Sequence, residues 1–152
     1  MAKAKIGKKL PVEDDSIFEK IVEKKGSVPT LIHPSANVSK YAQLGRGVVV
    51  HMNTVVHPDV TVGDNTVLSY NVSVTHSTHI GKNCYLAFGV MLGAYTIVED
   101  FVFIGIGAIV ISGKVDSIGT FASVGAGAVV TKSVASYECV AGNPAKFIKT
   151  LK

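Results

Sequence analysis

From Ile32 onward every sixth residue is Ile, Leu or Val: Ile32, Val38, Leu44, Val50, Val56, Val62, Leu68 and so on through Val110, fourteen in an unbroken row. A second position, four residues after each of these, holds only small or β-branched residues, among them Ala36, Val48, Thr54, Thr66, Cys84 and Ala108. A period of six fits neither an α-helix, at 3.6, nor an alternating strand, at 2. It predicts a short strand plus a bend, repeated, with three such units closing a triangular coil of 18 residues. Each unit gives one large aliphatic and one small residue to a dry interior, and the strands run parallel along each wall. Stacked at ~4.8 Å, five to six coils make an all-β prism about 25–30 Å long. After Val110 the phase slips by two residues and resumes at Ile118, Val124 and Val130, which predicts a small loop within Ile111 to Ser117. Leu44-Gly45, Val62-Gly63 and Ile80-Gly81 are each 18 apart. Glycine at a repeated corner suggests a bend with φ > 0.

A stacked coil must cover its terminal core. Ser16 to Lys25 reads as one helix, with Ser16 as cap, Glu19 at the capping-box position, Gly26 as its end, and an apolar stripe of Ile17, Ile21 and Val22. At the other end Val140 to Lys152 leaves the pattern and finishes in an amphipathic tail around Phe147, Ile148 and Leu151. The expected organisation is an N-terminal arm and capping helix over 1–29, the coil over 30–140, and a C-terminal tail over 141–152.

Charge narrows the function classes. The net +4 is uneven: residues 1–29 carry +2, residues 30–130 carry −1 and residues 131–152 carry +3. A nucleic-acid binder puts its basic stripe on the folded body; this body is near neutral, so no nucleic-acid partner is expected. No apolar run approaches the ~20 residues of a membrane span. The lysine-rich Met1 to Leu10 lacks the apolar stretch of a secretory signal. Cys84 and Cys139 have neither zinc-ligand nor CxxC spacing. Together these suggest reduced thiols and a cytoplasmic protein.

The hexad pattern resembles the hexapeptide-repeat acyltransferase superfamily, as does the closing pair Val124 to Lys132 (VGAGAVVTK) and Val140 to Lys146 (VAGNPAK). The stretches Leu31 to Ser39, Val74 to His76, Ile80-Gly81 and Phe103 to Ala108 are similar to one branch, the sialic acid and bacillosamine type of sugar O- and N-acetyltransferases. The resemblance implies a left-handed parallel β-helix, a homotrimer, and transfer of an acetyl group from acetyl-CoA to an amino or hydroxyl group of a sugar or nucleotide sugar, with no metal. Members of this branch usually begin with a nucleotide-binding α/β domain. Only about 30 residues precede the first coil, roughly what one βαβ unit alone needs, so the sugar-nucleotide pocket of that domain is not carried over.

Acyl transfer needs a base, because the acceptor loses a proton as it attacks the thioester. Histidine, which titrates near neutrality, suits the task. His33 and His51 share a coil position, and His57 holds the same hexad slot one wall on; these read as solvated surface residues. His76, two residues past the inward Val74, faces outward and falls where the resembled branch has its catalytic His, in a cleft between two subunits. Three neighbours depart from the branch. Ser77 replaces the Asp or Glu that orients the ring and stabilises imidazolium. Tyr85 replaces a second His near the acetyl group, keeping a hydroxyl donor. Ser69 replaces an Asn on the acceptor side. His79, past the next bend, is a candidate substitute for the lost acidic partner. By the same resemblance the pantetheine arm of CoA lies along the wall positions Ala94, Ile106 and Ala126, with Tyr85 near the acetyl group. Lys132, joined by Lys114 or Lys146, pairs with the coenzyme phosphates.

Two other readings share the prism. A γ-class carbonic anhydrase holds zinc with His residues five apart on one chain; the successive separations here are 18, 6, 19 and 3. A non-catalytic trimeric scaffold, or a lapsed enzyme, fits the missing acid beside His76 and would have no reason to keep a coenzyme groove.

Overall fold

The computed structural model describes residues 16–151, so the lysine-rich Met1 to Leu10 lies outside the described residues. They form a left-handed parallel β-helix of about six turns, preceded by one short helix. The first wall stacks β1 (Leu31–Ile32), β4 (Val49–Val50), β7 (Val67–Leu68), β10 (Tyr85–Leu86), β13 (Phe103–Ile104), β16 (Ser123–Val124), β18 (Glu138–Ala141) and β19 (Lys146–Thr150). The second stacks β2 (Asn37–Val38), β5 (Val55–Val56), β8 (Ser73–Val74), β11 (Met91–Leu92), β14 (Ile109–Val110) and β17 (Val129–Val130). The third stacks β3 (Gln43–Leu44), β6 (Thr61–Val62), β9 (His79–Ile80), β12 (Ile97–Val98) and β15 (Ser117–Ile118). Every pairing except β18 with β19 is parallel, and up to the slip each residue pairs with the one 18 further on, as Val50 does with Leu68.

The two inward positions fill the prism. Leu68, Leu86, Leu92, Ile104 and Ile118 are wholly buried, and so are the small partners Val48, Val60, Val72 and Ala108. Thr54, Thr66 and Thr78 are buried without penalty, because each hydroxyl donates to a backbone carbonyl 15 residues on, at Ser69 (2.6 Å), Gly81 (2.8 Å) and Gly93 (3.1 Å). The phase slip is a loop over 111–116, and Val115, 2% exposed, turns inward to keep the core closed.

Corner glycines play a different part from the one the sequence suggests. Gly45, Gly63, Gly81 and Gly119 do not have positive φ. They are needed for close approach: a Cβ on Gly63 would stand 2.6 Å from the carbonyl carbon of Gly81. The left-handed residue is instead the third after each large inward aliphatic. It is Asn53, Asp59, Asn65, Asn71, Ser77 and Asn83 on successive corners, with φ of 55–57°. Asn and Asp tolerate this region better than other side chains.

The ends also differ in detail. Helix α1 (Ser16–Glu23) closes as a Schellman motif, with Lys25 N–H donating to Val22 O and Gly26 N–H to Ile21 O. The left-handed residue is Lys25 (φ 57°), and Gly26 is required because a Cβ there would meet Ile21 Cγ2 at 2.7 Å. Phe18, not Ile17, docks the helix. Phe18 is 7% exposed against 65% for Ile17, and its ring lies against Gly47 and beneath the Arg46 guanidinium. At the C-terminus an antiparallel hairpin of β18 and β19 replaces the expected amphipathic tail. Val134, Val140 and Ala145 pack on the core, while Phe147 and Ile148 remain exposed. No helix among the described residues is long and apolar enough to cross a membrane.

Candidate active site

His76 stands on the corner where the chain leaves β8 of the second wall for β9 of the third. Neighbouring coils hold that corner from both sides. Thr75 Oγ1 donates to Leu92 O at 2.7 Å, Thr78 Oγ1 donates to Gly93 O, and Ser77 N–H donates to Pro58 O at 3.3 Å. The backbone is therefore fixed while the imidazole is exposed. Nδ1 of His76 lies 3.3 Å from Ser77 Oγ. With Nδ1–H donating to that oxygen, Nε2 is the free, proton-accepting nitrogen. The ring of Tyr95, one coil on, meets the imidazole edge to face, with centroids 5.2 Å apart and planes at 86°. His79 is turned to another partner: its Nδ1 lies 2.6 Å from Thr61 Oγ1 on the third wall.

The remaining candidates lie elsewhere on the prism. Ala94 stacks directly above His76, but its N–H already donates to Ser112 Oγ at 2.9 Å. Ser69 is 4% exposed, and its backbone bonds to Leu86 and Thr54 within the frame of the first-to-second corner. Tyr85 points out of the first wall, its ring stacked on Phe103 at 5.8 Å. Ile106 and Ala126 are exposed on the first-to-second corner. Lys132 lines a cavity of about 300 Å³ with Lys146, Phe147 and Glu138, between the last coil and the hairpin. In a triangular prism the His76 corner is opposite the first wall. One chain thus brings His76, Ser77, Ala94 and Tyr95 together, and keeps them apart from Tyr85, Ile106 and Ala126.

The first-to-second corner has a property that side-chain reading misses. Met52, Tyr70, Phe88, Ile106 and Ala126 stack there, one per coil. The first four each accept, at their carbonyl, the N–H of the residue 19 or 21 positions on: Asn71, Gly89, Gly107 and Gly127 respectively. Their own N–H groups, and that of Ala126, have no partner among the described residues. The four large side chains are 41–50% exposed. The corner is an apolar ridge with a column of free backbone donors. Its counterpart between the third and first walls is closed by side chains at alternate coils, while the N–H groups of Asp64, Asp100 and Ser136 have no partner among the described residues. Asp64 accepts from Arg46 N–H (2.7 Å), Asp100 from Lys82 N–H (2.9 Å) and Glu99 from Thr120 N–H (2.7 Å). There the Arg46 guanidinium, bonded to Asp64, holds that carboxyl below its usual range, and the Thr120 hydroxyl and N–H do the same for Glu99. Burial pushes the Cys84 thiol up to about 12, so it is an inert part of the core.

A sequence-family model described as bacterial transferase hexapeptide (six repeats) matches residues 41–76. Among solved structures, a perosamine N-acetyltransferase from Caulobacter crescentus, in complex with CoA and GDP-perosamine, is 32% identical with a TM-score of 0.84. The match covers 87% of this chain and 62% of that one. The chain carries the hexapeptide repeat, consistent with the hexapeptide-repeat acyltransferase superfamily. Two further structures share the repeat over a similar span. The acetyltransferase domain of PglB from Neisseria gonorrhoeae, in complex with acetyl coenzyme A, is 30% identical with a TM-score of 0.83, over 86% of this hexapeptide-repeat chain and 63% of the other. WeeI from Acinetobacter baumannii is 27% identical with a TM-score of 0.81, over 86% and 63%. This chain thus spans less than two thirds of the length of these neighbours. Among curated proteins none matches the sequence.

Proposed function

We propose that the chain is an acyltransferase that moves an acetyl group from acetyl-CoA to an amino or hydroxyl group of a sugar or nucleotide sugar. The observation that carries this reading is the likeness, at 30–32% identity over 86–87% of the chain, to solved acetyltransferases that hold CoA or acetyl-CoA. In this reading His76 is the general base. Its Nε2 takes the proton of the acceptor amine or hydroxyl as that group attacks the thioester carbonyl, the carbon–sulfur bond breaks, and the proton passes to the CoA thiolate. Ser77 holds the opposite ring nitrogen. The free N–H groups of Ile106 and Ala126 suit the amide carbonyls of an extended pantetheine arm, and the apolar ridge around them suits its methylene chain. Ala94 gives that arm no backbone donor, since Ser112 occupies it. Lys132, which lines the C-terminal cavity with Lys146, suits the coenzyme phosphates by its charge. Because the His76 corner and the Ile106 ridge lie on different corners of one prism, a complete site needs the ridge of a second copy beside the His76 of the first. That requirement favours a homotrimer with three equivalent interface sites, in which Tyr85 faces the acetyl side, while Ser69, 4% exposed, lies beneath the surface on the acceptor side.

Ser77, in place of an acid, favours a second reading, a trimeric scaffold without activity. Calorimetric titration of acetyl-CoA, with the mass in solution recorded alongside, separates the two. The expected result is micromolar binding at one site per chain of a trimer, and loss of at least ~10²-fold in kcat in His76→Ala with the trimer intact. An intact trimer that binds no acetyl-CoA would leave the scaffold reading standing, and a fully active His76→Ala would remove His76 from the chemistry.

A further inference from the structure

Four aromatic residues stand in the left-handed region, at Tyr95, Phe101, Phe121 and Tyr137, with φ of 60–62°. Bulky side chains are rare there. Three of the four explain one another. Phe101, Phe121 and Tyr137 form a ladder up the third-to-first corner, with centroids 4.7 and 5.0 Å apart and planes within 18°. Tyr95 has no such company. Its own column, on the second-to-third corner, offers Ser77 below and Gly113 above. Its only ring neighbour among the described residues is His76, and its hydroxyl makes no hydrogen bond among them. It is 67% exposed, so core packing does not account for it either. Glycine at position 113 occupies the same corner slot, with open space around it.

We propose that Tyr95 is the positioning residue for the His76 imidazole. The proposal rests on the reading of His76 as base. A catalytic imidazole needs a fixed ring plane, and among the described residues the only hydrogen bond to it is the 3.3 Å contact with Ser77. The perpendicular phenol ring limits rotation about the His76 side chain. The perpendicular pair, with centroids 5.2 Å apart, is a favoured aromatic geometry and holds the imidazole in one orientation. Tyr95 thus supplies, by packing, part of the ring orientation that a carboxylate at position 77 would supply by a hydrogen bond. The ring carries this role, not the hydroxyl.

The test uses Tyr95→Asn, which keeps a residue tolerant of the left-handed region, alongside Tyr95→Phe and His76→Ala. Expected for Tyr95→Asn is a fall in kcat of about three- to tenfold, the size of an aromatic pair contact. KM for acetyl-CoA stays within about twofold, the melting temperature does not fall, and Tyr95→Phe restores kcat. In proton–carbon NMR spectra of the histidine rings, Tyr95→Asn moves the signals that His76→Ala deletes and leaves the other histidines in place. Wild-type kcat in Tyr95→Asn, or Tyr95→Phe as impaired as Tyr95→Asn, overturns the proposal while an inactive His76→Ala keeps the base assignment. A fully active His76→Ala overturns both, and unmoved His76 signals overturn the ring contact whatever the rates show.

Discussion

The corner between the first and second walls and the corner between the third and first turn the same chain through the same bend, with opposite surfaces. At the third-to-first corner, carboxylates from Asp64, Asp100 and Glu99 cap backbone donors, and an aromatic ladder continues upward from the hydrogen-bonded pair Asn65 and Asn83. At the first-to-second corner no acidic residue is present, the donors of five successive coils are free, and Met52, Tyr70, Phe88 and Ile106 are exposed. Each such cap is worth roughly 1 kcal/mol, so the third-to-first corner has, at alternate coils, a stabilisation that the first-to-second corner lacks. The open corner is where this prism can take a partner or a ligand backbone, and the closed corner is where it holds itself together.

The comparison breaks most sharply at the glycines. Gly63→Ala in the closed corner forces a Cβ to 2.6 Å from the Gly81 carbonyl carbon and 2.7 Å from Lys82 N. A cost of about 2–3 kcal/mol, the upper range of overpacking, is expected in chemical denaturation. Gly107→Ala in the open corner meets nothing within 4 Å and carries only the cost of a side chain at φ +65°, about 1 kcal/mol. Equal losses would show the two corners to be alike. Proline gives the next test, since Pro34 and Pro58 already occupy the slot two residues past an inward aliphatic. Ile106→Pro removes a free donor, so stability is expected to hold while the Kd for acetyl-CoA rises roughly five- to tenfold. Lys82→Pro removes the donor bonded to Asp100, so stability is expected to fall by about 1–2 kcal/mol with acetyl-CoA binding unchanged. Isothermal titration and thermal unfolding of both variants read the two quantities. The smallest effect is acid. Asp64 and Glu99 titrate below their ordinary values in the folded chain, so their contribution is present above about pH 4 and is lost as the pH falls through the folded values. The melting temperature is expected to drop between pH 5 and pH 3, and Asp64→Asn with Glu99→Gln is expected to flatten that drop.

The coil was legible because its signal is repeated. One hexad is ambiguous, but fourteen in phase leave no other period, and the slip after Val110 located the loop that Val115 closes. What escaped was what repetition does not encode. Glycine at positions 45, 63 and 81 reports either a left-handed bend or a close approach, and only the distance between stacked coils decides for the second. Helical spacing ranks Phe18 and Ile17 alike, and the close approach of the Phe18 ring to Gly47 does not appear in the sequence. The site was half legible. His76 and Ser77 are neighbours in the chain, and Ile106 and Ala126 followed from the resemblance. The free donors are backbone groups, identical in every residue, so no sequence pattern marks them. Tyr95 lies 18 residues past Ser77 and hence one coil above it, so its contact with His76 follows from stacking in space and not from adjacency in sequence.

The 18-residue pairing step has a consequence for how the chain comes to be folded. No strand from β1 to β17 waits for a partner more than about one coil away in sequence, so loop closure is short and nearly the same for every step. Assembly can proceed as a zipper, each new turn finding its template in the one just made. The two ends of that zipper are unequal. Ile32 is 48% exposed in the first coil, whereas Val130, Val134 and Val140 are sealed at the last. Fraying is therefore cheaper at the N-terminal end, and a chain emerging from the ribosome would gain its firm grip only as the later turns arrive.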